Sequence, residues 1–316
     1  MNKRHYLTIL FFNLSIVLLF AGTKTSDFSE GDGLVQDRYV TMKNTGLKVH
    51  YRIIGKGPID VVLIPGWTNP LTVYTMQFDY FRDKARCIYI DLPGTGLSDA
   101  PTPNTPAAPI ADGPEYTMEL MADAVYAVVK EEGLRKFVGV GFSMGPLVLG
   151  MFERNHPGMI YKLVVLDGDF NPWPTEKPAR SNFITDRETD YLGKLEWDED
   201  IKIGLLSALI PPELPGPDAE KLKEWGNYFV EFPSDILANT SYHGSAEHAN
   251  EPIGWEYPIL CFYSNPNPDM DKVNWIYPNN TVHTFPGGGH VIQWIFHKNI
   301  NPLIWDFIKD LPGKKF

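Results

Sequence analysis

The chain has 316 residues, 43% hydrophobic and 21% charged, with 28 Lys and Arg against 39 Asp and Glu and a formal net charge of −11. This apolar fraction suits a globular fold and excludes collagen, coiled coil and wholesale disorder. The acidic balance excludes a protein built to grip a nucleic-acid backbone, which needs a basic face.

At the N-terminus, Lys3 and Arg4 precede an apolar run from Tyr6 to Ala21, broken only by Thr8, Asn13 and Ser15. Small residues follow at Ala21, Gly22 and Thr23. Positive, apolar, small is the order of an export signal, and the run is shorter than the roughly 20 residues a spanning helix needs. Residues 1–22 are expected to be a signal peptide, placing the protein in the periplasm or outside the cell. The alternative is an uncleaved N-terminal segment that anchors it to a membrane. Loss of Lys3 and Arg4 would leave a charge of −13.

The segments "DRYVTMKN" and "LKVHYRII" alternate with period two around Thr45-Gly46, which predicts an antiparallel hairpin. "IDVVLIP" (59–65), "RCIYIDL" (86–92), "KFVGVGF" (136–142) and "KLVVLDG" (162–168) are continuous short apolar runs, the pattern of strands buried on both faces. Residues 116–132 space Leu120, Ala124 and Val128 as a helix that Thr117 starts, and 144–155 form another helix closed by His156-Pro157-Gly158. Later come "PILCFY" (258–263), "TVHTF" (281–285) and a last helix near 299–311. Two antiparallel strands followed by alternating strands and helices predict an α/β fold. Its mostly parallel open sheet should have about eight strands flanked by helices, in a core of residues 34–169 and 256–316.

Residues 170–255 break this alternation: they hold little strand pattern and many aromatic residues, among them Trp173, Trp197, Trp225, Tyr228 and Trp255. Helical segments near 186–208 and 218–229 predict a helical cap inserted after strand 6. Cys87 and Cys261 fall inside strand-like runs that the sheet would hold apart, so both are expected to be buried free thiols.

The chemistry concentrates in Gly141-Phe142-Ser143-Met144-Gly145, a G-x-S-x-G that ends a strand and opens a helix. Such a turn forces Ser143 into a strained backbone, exposes its hydroxyl at the carboxyl end of the sheet and aims a helix N-terminus at the same point. A serine hydroxyl needs a base. This architecture puts the histidine after the final strand, where "TVHTFPGGGH" supplies His290. Oxyanion stabilisation needs backbone N–H groups: Met144, next to Ser143, and Trp67, in "LIPGWTNP" after the third strand. No zinc-like spacing of His, Cys, Asp or Glu and no phosphate loop is visible, and neither metal nor cofactor is expected.

In this order, strand-"PGW", "IDLPGTGLSD" (90–99), "GFSMG" and "GGGH" resemble the α/β-hydrolase fold superfamily. They are most similar to its capped serine esterase, lactonase and C–C hydrolase group. The resemblance covers about residues 37–169 and 256–312. Pro65 stands where the family usually has His, and Pro146 replaces a common second glycine. The family's acid usually follows the seventh strand in a Gly-x-x-Asp-Pro pattern, but "FYSNPNPDMD" puts Asn267-Pro268 there. Asp167, closing the sixth strand, matches an acid position used in parts of the superfamily and is the first assignment. Asp269 is the alternative, and Asn267 or Asp169 the remaining ones. Asp91, Gly94, Gly96 and Asp99 are read as shaping their loop.

The resulting expectation is an exported serine hydrolase acting on a small ester-, lactone- or amide-like carbonyl through an acyl-serine. Its partner would be a small-molecule substrate, with no nucleic acid and no membrane beyond the N-terminal segment. The resemblance leaves room for a C–C bond hydrolase, a cofactor-free perhydrolase or a non-catalytic ligand-binding member. It speaks against dehalogenase and epoxide hydrolase chemistry, in which the nucleophile position carries Asp.

Overall fold

A computed structural model describes residues 34–101, 116–168, 186, 189–210, 217–243 and 256–312. The expected signal segment 1–22 and both boundaries of the expected cap lie outside the described residues. Among the described residues, no helix is long and apolar enough to cross a membrane.

The eight strands are β1 (Val35–Thr41), β2 (Lys48–Ile54), β3 (Asp60–Ile64), β4 (Arg86–Ile90), β5 (Phe137–Phe142), β6 (Ile160–Leu166), β7 (Ile259–Tyr263) and β8 (Asn280–Thr284). They form one sheet in the order β1-β2-β4-β3-β5-β6-β7-β8. The β1–β2 and β2–β4 pairs are antiparallel and every other pair is parallel. Between them run α1 (Thr75–Phe81), α2 (Met118–Glu131) and α3 (Gly145–Asn155); after β6 come α4 (Glu199–Leu209), α5 (Pro217–Glu231) and α6 (Ser234–His243). After β7 follow α7 (Met270–Ile276), the single turn α8 (Ile292–Ile295) and α9 (His297–Ile308).

The continuous apolar runs are explained by helices on both faces. Val62, Ile64, Ile88, Ile90, Leu163 and Val165 face one core with α2 and α3. Their neighbours Val61, Leu63, Cys87, Tyr89, Val164 and Leu166 face a second core with Phe78 and Phe81 of α1 and Ile300, Ile304 and Ile308 of α9. Each fully buried aliphatic side chain contributes about 1.5–3 kcal/mol of transfer free energy. Thr117 caps α2 by accepting from Leu120 N–H at 3.1 Å. Cys87 and Cys261 are free and buried, each thiol pushed up to about 12 by burial. They sit on β4 and β7, with three strands between them. The last helix begins two residues before the expected 299, and α6 was not singled out in the sequence.

At the antiparallel edge, a buried polar network replaces apolar packing. His50 of β2, 2% exposed, contacts Asp91 through Nδ1 at 2.7 Å and Asp37 through Nε2 at 3.1 Å. Arg52 donates two hydrogen bonds to Asp37, both at 2.8 Å. Asp91 also accepts the N–H groups of Leu71 and Leu97, at 2.6 and 3.0 Å. One carboxylate therefore joins β2, the segment after β3 and the loop after β4, in keeping with the structural role expected for Asp91.

Burial alone would lower the pKa of His50, but its bonds to Asp37 and Asp91 outweigh that effect and raise it to about 9. For Asp37, burial acts to raise the pKa, yet the bonds from His50 and Arg52 hold it well below the usual carboxylate range. Because the His50 pKa is raised on folding, its contribution is fully present below the ordinary value of 6.5 and is lost as pH rises through about 9. Asp37 faces solvent on one side, so the contribution is on the order of 2 kcal/mol after screening. The urea midpoint of the wild type is expected to fall between pH 7 and 10. His50→Gln should be less stable at pH 7 and show a shallower fall; an unchanged slope would contradict this account.

Candidate active site

The carboxyl ends of adjacent parallel strands bring the expected residues together, as is usual for open α/β sheets. Ser143 follows β5 at φ 52°, in the left-handed region that non-glycine residues avoid. Its N–H donates to Leu166 O at 2.9 Å, which fixes the turn against β6. A Cβ on Gly141 would lie 2.4 Å from Pro146 N, and one on Gly145 would lie 2.3 Å from Ile64 O. The two glycines of the motif are thus demanded by close backbone approach. Pro146 sits in the first turn of α3, where its missing N–H costs no intrahelical bond.

Gly66 faces Ser143 from the end of β3: a Cβ there would lie 2.8 Å from Ser143 Cβ. Trp67 is the next residue, and Met144 stands at the N-cap of α3. Among the described residues, neither Trp67 N–H nor Met144 N–H donates to a protein acceptor. Trp67 O accepts from Thr68 Oγ1 at 2.6 Å and from Asn69 Nδ2. Thr68 is itself at φ 59°. The carbonyl side of this turn is tied down while the amide side stays open.

His290 lies in the turn before α8, and its Nδ1 is 2.7 Å from Asp167 Oδ2. An ionised carboxylate only accepts, so this contact makes Nδ1 the donor, and in the neutral ring Nε2 then carries the lone pair. The ring packs against Phe142 with centroids 4.9 Å apart. Asp167 follows β6 at φ 48° and accepts two further bonds, from Ser264 N–H at 2.7 Å and Ser264 Oγ–H at 3.0 Å. Asp269 is placed differently: it is the N-cap of α7, accepting from Lys272 N–H at 3.1 Å. Asn267 N–H turns back to Asn265 Oδ1 at 2.9 Å, and Asp169 lies outside the described residues. The geometry therefore brings Asp167 to His290 and uses Asp269 as a helix cap.

The helices between β6 and β7 reach three of the core loops. Tyr228 of α5 accepts from Gly96 N–H at 2.7 Å in the loop after β4, and burial pushes the pKa of its phenol up. Thr240 of α6 accepts from Trp67 Nε1–H at 2.8 Å. Leu209 O, at the end of α4, accepts from His290 N–H at 2.9 Å. Leu222 and Trp225 of α5 enter the second core, and Phe229, Phe232 and Leu237 form a satellite cluster against which Trp67 packs. Sequence reading missed Ser264, Thr240 and Leu209, since Ser and Thr carry no motif and Leu209 acts through its carbonyl. Among the described residues, no group of three or more His, Cys, Asp or Glu is arranged to hold a metal ion.

This strand–serine–helix junction, with an Asp–His pair at the neighbouring strand ends, matches a known family: the model of the alpha/beta hydrolase family covers residues 61–297. The chain belongs to that family. Similar proteins include epoxide hydrolase 3 of Xenopus tropicalis, 28% identical over 134 residues, which are 42% of this chain and 34% of that protein. Another is the pimeloyl-[acyl-carrier protein] methyl ester esterase of Aeromonas hydrophila, 28% identical over 120 residues, 38% of this chain and 41% of the esterase. The alignments thus span about a third of the length of the epoxide hydrolases. A thermophilic esterase from Thermogutta terrifontis has the same fold, with a TM-score of 0.69 and 20% identity over 87% of this chain and 98% of the esterase. So does Est816, described as an N-acyl homoserine lactone degrading enzyme, with a TM-score of 0.64 and 19% identity over 86% of this chain and all of that one.

The close approaches give a graded test of the junction. Gly145→Ala drives a Cβ to 2.3 Å from the backbone carbonyl oxygen of Ile64, whereas Gly66→Ala meets side-chain atoms alone, Ser143 Cβ at 2.8 Å and the Phe142 ring at 3.3 Å. Overpacking of this kind costs about 1–3 kcal/mol. The melting temperature is expected to fall in both variants and further for Gly145→Ala; equal, near-zero shifts would show that the junction relaxes freely.

Proposed function

We propose that this protein is a serine hydrolase of small carboxylic esters, lactones or related acyl compounds. The observation that carries the reading is Ser143, held at φ 52° between a strand and a helix N-terminus, at the same carboxyl end of the sheet as a histidine that donates to a partly buried aspartate. In this reading His290 Nε2 takes the Ser143 proton as Oγ attacks the substrate carbonyl. The negative oxygen is met by the N–H groups of Met144 and Trp67, both without described protein acceptors. The tetrahedral carbon expels the alcohol, which leaves with the proton from His290. His290 then deprotonates a water that attacks the acyl-serine, and the acid departs as Oγ recovers its proton. Asp167 keeps the imidazole in the required tautomer and offsets its transient positive charge.

The similar proteins named epoxide hydrolases raise a rival substrate. Chemistry separates the two. An aspartate that opens an epoxide leaves an ester, which water can cleave at the carboxyl carbon. A serine that opens one would leave an ether with no such carbon. The residue at 143 is Ser, so an acyl substrate is the one whose intermediate turns over. The amide at Asn267 is no argument for a binding-only protein, since Asp167 offers His290 a carboxylate. Export, in this reading, rests on the N-terminal pattern of residues 1–22 alone.

The test is labelling by a fluorophosphonate together with hydrolysis of p-nitrophenyl esters. Wild type should take one label, which Ser143→Ala abolishes along with turnover. Asp167→Asn should lower kcat by about four orders of magnitude, while Asp269→Asn stays within a few-fold of wild type. A folded wild type that takes no label defeats the reading, and a loss in Asp269→Asn equal to that in Asp167→Asn defeats the acid assignment.

A further inference from the structure

The side chain of Trp67 reaches from the core into the helices that follow β6. Its Nε1–H donates to Thr240 Oγ1 at 2.8 Å, and its ring stands edge-on to Trp197 with centroids 6.5 Å apart. The ammonium of Lys194 lies 5.6 Å from the Trp67 ring and 5.2 Å from that of Trp197, and it pairs with Asp190 one helical turn earlier. Trp67 also packs against both the core cluster that contains Met144 and the satellite cluster of Phe229, Phe232 and Leu237. Two separate segments of the insert thus converge on a single side chain.

Thr240 suits this contact. It is 2% exposed, and its hydroxyl has Ile236 O and Leu237 O within reach at 2.9 and 3.1 Å. Its single hydrogen goes to those carbonyls of its own helix, so a lone pair faces Trp67. The backbone of Trp67 is constrained as well, because its carbonyl is held by Thr68 and Asn69. The peptide that carries Trp67 N–H has Gly66 O at its other end, which accepts from Asn69 N–H at 3.2 Å, so with that carbonyl and the indole both anchored the rotation of this peptide is constrained. That amide is the open group next to Gly66, which itself lies against Ser143.

We propose that Thr240 is a positioning residue: through the Trp67 indole, the seating of the helical insert sets the direction of the Trp67 amide toward the reacting oxygen. This rests on the serine-hydrolase reading above. Leu209 O, accepting from His290 N–H, gives the insert a second hold on the same site. An insert seated in this way aligns the oxyanion donor and the base together. Its displacement by a poorly fitting substrate slows the chemical step even when binding is tight.

The experiment compares full-length wild type, Thr240→Val, Thr240→Ser and Lys194→Met on one p-nitrophenyl ester and one fluorophosphonate. Valine keeps the shape but leaves the indole N–H unpartnered, whereas serine keeps the acceptor. A donor displaced by a fraction of an ångström costs about tenfold or more in rate. Thr240→Val is therefore expected to lower kcat and the labelling rate about tenfold, with KM within about twofold, and Thr240→Ser to restore both. Lys194→Met, which leaves α6 untouched, should shift kcat in the same direction. A change confined to KM, or a serine variant as slow as valine, overturns the proposal. Should Thr240→Val fail to fold, an unchanged kcat in Lys194→Met overturns it equally. A folded wild type that takes no label defeats the hydrolase reading itself, whereas a labelled wild type with unaffected variants defeats only this coupling.

Discussion

The close approach of three backbones around the β5–α3 junction is the constraint on which the site depends. Gly141 and Gly145 let the chain reverse so tightly that α3 begins against the end of β3, with Ile64 O where a side chain of residue 145 would be. The same reversal sets Ser143 in a left-handed conformation and, among the described residues, leaves the N–H groups of Met144 and Gly145 without a protein acceptor beside it. A looser turn would relieve the strain at Ser143 and scatter those donors. Local strain of about 1–3 kcal/mol is tolerated because β3, β5 and β6 are pinned side by side by ladder hydrogen bonds and by cores on both faces.

Order on the other side of the site comes from two carboxylates with several partners, Asp91 buried and Asp167 partly so. Asp167 collects His290 and both donors of Ser264, joining the ends of β6 and β7 to the segment after β8. Asp91 joins β2, the segment after β3 and the loop after β4, with His50 as its charged partner. A buried carboxylate is costly unless its oxygens are satisfied. Each loop held by one is therefore held firmly. The helices between β6 and β7 touch these loops at Gly96, Trp67 and His290, so they are seated on the parts of the core that carry the candidate chemistry.

Sequence alone was enough for the α/β class, the strands to within two or three residues, and the candidates at 143 and 290. Those features are local: alternation, continuous apolar runs and a five-residue motif each follow from the conformation of a short segment. The choice between Asp167 and Asp269 was not local. Both are aspartates in loops after strands, and the family pattern favoured the second region. Only the order of strands in the sheet, which sets β6 and β7 side by side and brings the turn after β8 over them, puts one carboxylate at His290 and leaves the other capping a helix. Ser264, Thr240 and Leu209 were illegible for the same reason: their partners lie far away in the chain, and a hydroxyl or a carbonyl leaves no mark on sequence pattern. Composition and motif therefore determine which chemistry the chain can carry, and tertiary contact decides which of several equivalent side chains is brought to it.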